Sequence, residues 1–156
     1  MEANLTKSNP LVSICIPAYN SSKYIAETLH SLLNQSYKNF EIIVCDDSST
    51  DNTIPIIKSF NSSLITITKN KGKGASSARN EAFKISNGDL IIFFDADDVV
   101  QKNFIASQVV QYLQHDDQTV IYSSIGRFYN NDIQNFKIDE KQNLGNYVFS
   151  QWIKVI

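Results

Sequence analysis

The sequence has little of what marks a disulfide scaffold, a metal cage or a membrane anchor. It contains two cysteines and two histidines in 156 residues. Cys15 and Cys45 each fall inside an apolar run, with no C-x-x-C and no zinc-ligand spacing. Both read as buried strand thiols, which argues against a disulfide framework. His30 and His115 read as surface residues on or near helices. No apolar run approaches the ~20 residues of a membrane-spanning helix. The opening stretch, MEANLTKSNP, is polar and lacks the apolar core of a secretory signal. A cytoplasmic location is the expectation, with peripheral attachment to the inner face of a membrane as its variant. Net charge is only −2, so no global field draws nucleic acid, and none is expected as a partner. The densest basic cluster, Lys69, Lys71 and Lys73, sits in a Gly-containing loop and reads as solvated. No G-x-G-x-x-G follows the first apolar run, which removes a dinucleotide dehydrogenase.

What is present is ordinary in bulk and unusual in one place. Hydrophobic content is 42% and charged content 19%, typical of a soluble globular chain long enough for one domain with a sizeable core. The unusual place is Leu90–Asp98, LIIFFDADD, where five apolar residues run straight into three carboxylates. The apolar run does not alternate, so it reads as a strand covered on both faces. Unpartnered acids cannot stay inside such a strand. Asp95, Asp97 and Asp98 are therefore expected just past its C-terminal end, within reach of water, a metal or a ligand.

The rest of the chain alternates in a regular way. Leu11–Ile16 is a short apolar run stopped by Pro17. Ser21–Asn34 carries Ile25, Leu29, Leu32 and Leu33 at helical spacing, with Ser21 or Ser22 as the expected cap. Phe40–Cys45 is a second apolar run, ending in Asp46-Asp47. DSSTDNT then supplies turn and cap residues for a helix from Ile54, in which Pro55 is tolerable only in the first turn. Leu64–Thr68 is a β-branched strand, Lys69–Gly74 a flexible Lys/Gly loop, and Ala75–Ser86 a helix with a small-residue face. Asn87-Gly88 is a stop signal. After LIIFF come a helix at Lys102–Gln114 and a strand at Thr119–Ser123, reaching towards Tyr129. Asn130–Asn143 is polar and turn-rich, and the closing VFSQWIKVI is apolar and reads as helical. This β-α-β-α-β-α-β-α-β order predicts an α/β fold with a mostly parallel central sheet and helices on both faces. Right-handed crossovers bring every strand's C-terminus to one edge, where ligands bind in such sheets.

At that edge the chain places Pro17, Ala18, Tyr19 and Asn20 after the first strand, and Asp46, Asp47 and Ser48 after the second. The Lys/Gly loop and Arg79 follow the third, and Asp95, Asp97 and Asp98 the fourth. Two acidic pairs brought to one edge repel each other unless a cation or a donor-rich ligand lies between them. Asp-x-Asp offers hard oxygens suited to Mg²⁺ or Mn²⁺. Such an ion would take phosphate oxygens and stabilise the charge of a diphosphate leaving group. Arg79 would add a second positive charge. Against this stands the plainer reading, in which the acids and Ser48, Ser49 and Asp51 are turn and cap residues.

The segments VSICIPAYN, SLLNQSYKNFEIIVCDDSSTDNT and GASSARNEAFKISNGDLIIFFDADD, in that order, resemble the family 2 glycosyltransferases. The likeness covers about residues 11–100. It implies a Rossmann-like GT-A fold and inverting transfer from a nucleoside-diphosphate sugar, UDP-sugar first, to a hydroxyl of a glycan or other acceptor. By position, Pro17, Ala18 and Tyr19 match the loop lining the base. Asp47, with Asp46 beside it, matches the acid that pairs with the base ring, and Arg79 the arginine that contacts the nucleotide. Asp95, with Ala96, matches the ribose side of the D-x-D motif, and Asp97 or Asp98 its metal ligand. Ser48 stands where the family usually has Gly, a mild change provided the turn needs no positive φ. The family's catalytic base is a carboxylate well beyond D-x-D. Asp116, Asp117, Asp132, Asp139 and Glu140 are available, but none sits in a recognisable base motif. The expected organisation is a polar lead (1–10), a nucleotide-sugar-binding core (11–129) and the start of an acceptor-side region (130–156) belonging to a longer enzyme. The apolar end would then pack on further structure or on another copy. The rival readings are a non-catalytic nucleotide-sugar-binding module, a response-regulator receiver, and a phosphatase with Asp95 as nucleophile.

Overall fold

The computed structural model describes residues 9–114 and two short strands at 126–127 and 137–138. The chain runs β1 (Val12–Ala18), α1 (Ile25–Leu33), β2 (Phe40–Asp46), α2 (Thr53–Ser59), β3 (Ile65–Lys69), α3 (Ala75–Lys84), β4 (Leu90–Phe93) and α4 (Phe104–Leu113). β5 (Gly126–Arg127) and β6 (Lys137–Ile138) form a two-residue antiparallel ladder. The expected strand at Thr119–Ser123 and the closing helix lie outside the described residues.

β1 to β4 form one parallel sheet in the order β3-β2-β1-β4. The alternation of β1 and β2 sorts their side chains. Ile14, Ile16, Ile42 and Val44 share a core with Ile25, Leu29 and Leu32 of α1, Ile57 of α2, and Ile105 and Val109 of α4. On the other face Cys15, Ile43, Cys45 and Ile91 pack against Ala78 and Ala82 of α3. The small residues let this helix approach the sheet closely. Burial pushes the Cys15 thiol up to about 12 and the Cys45 thiol to about 11, so both are inert apolar fillers. Each fully buried Ile or Leu contributes about 1.5–3 kcal/mol by leaving water, which makes this two-sided packing the main support of the sheet.

Three local expectations are corrected. β4 is an outer strand of the four, so Leu90, Ile92 and Phe93 are half-buried rather than covered on both faces. The serines do not cap α1. Tyr24 is its N-cap without a side-chain bond, and the entry turn is held by Tyr24 and Ile25 amides donating to the Ser21 carbonyl. The Ser48 turn does need a positive φ, since Ser48 sits at +68°. Pro55 falls in the first turn of α2, as its missing N–H demands. Gly88 marks a close approach. A Cβ there would lie 2.6 Å from the Ser13 backbone nitrogen, while its own amide donates to the buried Ser13 hydroxyl at 2.8 Å.

The strand order reverses beside β1. The chain moves outward through β2 and β3, then crosses back to place β4 on the other side. That switch point opens a crevice at the C-terminal edge. Pro17 widens it. The Cys15 carbonyl accepts from the Phe94 amide, so β1 turns its odd-numbered residues towards β4. The next such position is Pro17, which has no N–H, and the β1–β4 pairing stops at Cys15↔Phe93. The chain from Asp95 onward is free to leave the sheet.

Candidate functional site

A cleft of about 380 Å³ opens at this switch point. Pro17, Ala18 and Tyr19 line it from the end of β1, with Asn20, Ser21 and Tyr24 beyond them. Asp47 enters from the end of β2, Ala75 and Arg79 from α3, and Asp95, Ala96 and Asp97 from the loop after β4. Eight of the ten residues expected from the sequence therefore share one cavity. Asp46 and Asp98 do not line it.

The two acids after β2 are separated by strand parity. Asp46 ends β2 on the buried side, 8% exposed, and its carboxylate accepts from the Ser49 amide at 3.0 Å. Asp47 leaves the strand, its amide donating to the Ala18 carbonyl at 2.8 Å and tying the ends of β1 and β2 together. Its carboxylate accepts from Asn70 Nδ2 at 2.6 Å and from the Gly74 amide at 2.7 Å. Asn70 is the organiser of this corner. Its Oδ1 accepts from the Gly72 amide and the Ser77 hydroxyl, and its own amide donates to the Asp46 carbonyl. The Lys/Gly loop is thus wrapped around one half-buried amide group. Gly74, at φ +86°, aims its N–H at Asp47 from the N-cap of α3.

The remainder of DSSTDNT braces the loop after β1. Asn20 Oδ1 accepts from the Thr50 amide and Asn20 N donates to the Ser49 hydroxyl. The Ser21 amide donates to Thr53 Oγ1 at 2.7 Å, and the Ser22 amide to Asp51 at 3.0 Å. The Thr53 hydroxyl above all, with the amides of Thr53 and Ser22, holds the Asp51 carboxyl well below the usual carboxylate range. Ser49 and Asp51 are structural, as the plainer reading has it, and Asp47 alone of this stretch turns to the cleft.

Across the cavity Arg79 forms an ion pair with Asp95. Asp97 is exposed at the rim. Asp98 is exposed as a residue, yet partial withdrawal of its carboxyl from water, then the Asp95 and Asp97 charges, push that carboxyl up. Tyr19 and Tyr24 stand 60% and 51% exposed, so two aromatic faces at the cleft are free to stack on a planar group. Tyr24 was not expected here, because helical spacing alone gives no sign of where the turn before α1 points. Asn70 was missed because a polar residue between strand and Gly-rich loop reads as solvated.

Among the described residues no three His, Cys, Asp or Glu side chains gather into a ready metal cage. The donor set still fits a hard divalent ion. Mg²⁺ or Mn²⁺ takes one or two carboxylates and fills its octahedron with phosphate oxygens and water, and Asp95 and Asp97 lie two residues apart on an accessible rim.

The sequence model described as Glycosyl transferase family 2 matches residues 13–153. The chain belongs to glycosyl transferase family 2. Escherichia coli WfaP, named a UDP-Glc:alpha-D-GlcNAc-diphosphoundecaprenol beta-1,3-glucosyltransferase, is 50% identical over 100 residues, covering 64% of this chain and 40% of WfaP. S. aureus TarS 1-349 in complex with UDP superposes with a TM-score of 0.63 at 29% identity, over 72% of this chain and 38% of that one. The mannosyltransferase PcManGT from Pyrobaculum calidifontis, in complex with GDP-Man and Mn²⁺, gives 0.67 at 25% identity, over 78% and 37%. The fold is therefore GT-A, and the receiver and phosphatase readings fall away. This family 2 chain spans about two fifths of the length of curated relatives such as WfaP and Streptococcus pneumoniae GlyG.

Proposed function

We propose that this chain is the donor-binding part of a glycosyltransferase that takes a nucleoside-diphosphate sugar, UDP-sugar first, for inverting transfer to a hydroxyl of a glycan or other acceptor. The observation that carries the reading is the convergence of Tyr19, Asp47, Arg79, Asp95 and Asp97 on one cleft from three strand ends and a helix. Tyr19 stacks on the base against Pro17 and Ala18. The Asp47 carboxylate, held by Asn70 and Gly74, accepts the ring N–H of a uracil-type base. Arg79 contacts the nucleotide with its planar fork. Asp95 and Ala96 face the ribose. Asp97 holds Mn²⁺ or Mg²⁺ in preference to Asp98, which lies outside the cavity. Such an ion, when bound, stabilises the charge that grows on the leaving diphosphate.

The relatives support this reading by their names. WfaP takes UDP-Glc and an acceptor on diphosphoundecaprenol, TarS has been seen with UDP, and PcManGT with GDP-Man and Mn²⁺. An acceptor of the lipid-linked kind would bring this protein to the inner face of a membrane. No helix among the described residues is long and apolar enough to cross one. Residues 11–129 form the donor core in this reading, and 130–156 begin the acceptor side.

A second reading has its own support. Asp47 is committed to Asn70 and Gly74, Asp95 to Arg79, and Asp97 to the metal. No described carboxylate in the cleft is left to deprotonate an acceptor. By itself the chain would then bind the donor without transferring it. Calorimetric titration with UDP and GDP, with and without Mn²⁺, tests the first reading. Metal-dependent binding is expected, lost when Asp97→Ala and Asp98→Ala are combined; binding indifferent to both would overturn it. Sugar transfer by the purified 156-residue chain would overturn the second.

A further inference from the structure

The loop that carries Asp95 and Asp97 is weakly held by its own strand. β4 is an outer strand of four residues, and its pairing with β1 ends at Phe94 because Pro17 cannot donate. Beyond that point the loop has one internal turn bond, the Asp98 amide to the Asp95 carbonyl at 3.3 Å. A stretch so anchored does not by its own bonding set a carboxylate to the few tenths of an ångström that a hard octahedral ion requires.

Helix α1 supplies what the strand lacks. Its apolar stripe meets the sheet, and beside that stripe runs a polar seam of Thr28 and Ser31, continued by Gln35 just past the helix end. Thr28 is fully buried, and its Oγ1 donates at 2.9 Å to the Ala96 carbonyl, in the peptide that leads into Asp97. The Tyr24 carbonyl lies farther from the same hydroxyl, at 3.3 Å, so Ala96 takes the proton. Ser31 Oγ accepts from the Val100 amide at 3.3 Å. Gln35 donates to the Gln101 carbonyl at 2.8 Å and accepts from the Ile105 amide at 3.0 Å. Among the described residues, the Thr28 bond is the one hydrogen bond that reaches the 95–99 backbone from another element.

We propose that Thr28 is a positioning residue for the metal-binding loop, setting the height of Asp97 over the cleft through the Ala96 carbonyl. The proposal rests on the metal reading given above. It follows from the geometry of a group that touches neither metal nor nucleotide. Removing the hydroxyl leaves a buried carbonyl without its donor and lets the loop shift to find another. The loss falls on metal-assisted binding and spares the base pocket, which β1, β2 and α3 build.

The test compares the full chain with Thr28→Val, a near-isosteric change, and Thr28→Ser, which keeps the hydroxyl. The probe is UDP or GDP, whichever the wild type binds tighter, titrated calorimetrically with and without Mn²⁺. For wild type and Thr28→Ser the affinity gain from Mn²⁺ should be equal. In Thr28→Val that gain should shrink about tenfold, the scale of lost support around a metal ligand, with metal-free binding unchanged. That metal-free binding doubles as the check on folding. A full Mn²⁺ gain in Thr28→Val overturns the proposal alone. So does a Thr28→Ser as weak as Thr28→Val, or a joint loss of metal-free binding, since either places Thr28 in packing. A wild type whose binding ignores Mn²⁺ overturns the metal reading and the proposal together.

Discussion

At the scale of single residues, Ser48 shows how a site stores local strain. Its φ of +68° places an L-residue in the left-handed region, at a cost of roughly 1–2 kcal/mol relative to a relaxed backbone. The turn is fixed on both sides, by Asp46 accepting from Ser49 and by Asp47 donating to Ala18, so the strain cannot relax. Ser48→Gly should stabilise the fold by up to about 1 kcal/mol, because Gly removes the strain but returns ~0.5–1 kcal/mol as unfolded-state entropy. A higher urea midpoint is the expected result, and a lower one contradicts the account. Residue types were legible here; residue roles were less so. The sequence offers five acids at this edge, and telling Asp47, which lines the cleft, from Asp46, which does not, needs only the period-two alternation carried one residue past β2. That Asp97 lines the cleft and Asp98 does not depends on the turn after β4, which no periodicity encodes. Asn70 was illegible for a different reason: its partners lie up to 24 residues away, on Asp46 and Asp47, and become neighbours only when β2 and β3 pair.

At the scale of elements, the apolar stripes predicted the helices well and their ends poorly. Each βα unit was readable because burial on a sheet enforces the 3.6 and 2.0 periods. The ends were not, because side chains from other elements satisfy them. α4 is the clearest instance. Its N-cap, Asn103, makes no side-chain bond, and the Ile105 amide in its first turn is met instead by Gln35 Oε1 from just past the end of α1. Gln35 is fully buried, and its Nε2 also donates to the Ser31 and Gln101 carbonyls. Gln35→Leu keeps the volume but takes the side-chain partner from one amide and two carbonyls. It should cost about 1–3 kcal/mol per group left unmatched, read as a drop in the urea midpoint with an unchanged slope. A neutral result would mean that water reaches the α1–α4 contact.

At the scale of the whole molecule, the strand alternation and the edge position of the site were both foreseeable from connection rules, since parallel strands need crossovers and ligands gather at the switch point. The bracing between the loops after β1 and β2 was not, and it has a global consequence. Asp51 joins those loops through Ser22 and Thr53, and its carboxyl is held well below its ordinary value of about 4. A depressed carboxyl contributes stability that is fully present above its unfolded value and is lost as pH falls towards its folded one. The Glu81 carboxyl is depressed too, chiefly by its bond from Lys84, and acts with the same sign. Wild-type stability should therefore hold from about pH 7 to about pH 5 and fall as pH is lowered further. Asp51→Asn keeps the shape but removes the titrating group. It should be less stable than wild type at neutral pH, with the two urea midpoints converging in acid as Asp51 of the wild type is protonated. A gap that stays constant across the range would show that Asp51 braces the loops by shape alone, with its charge contributing nothing.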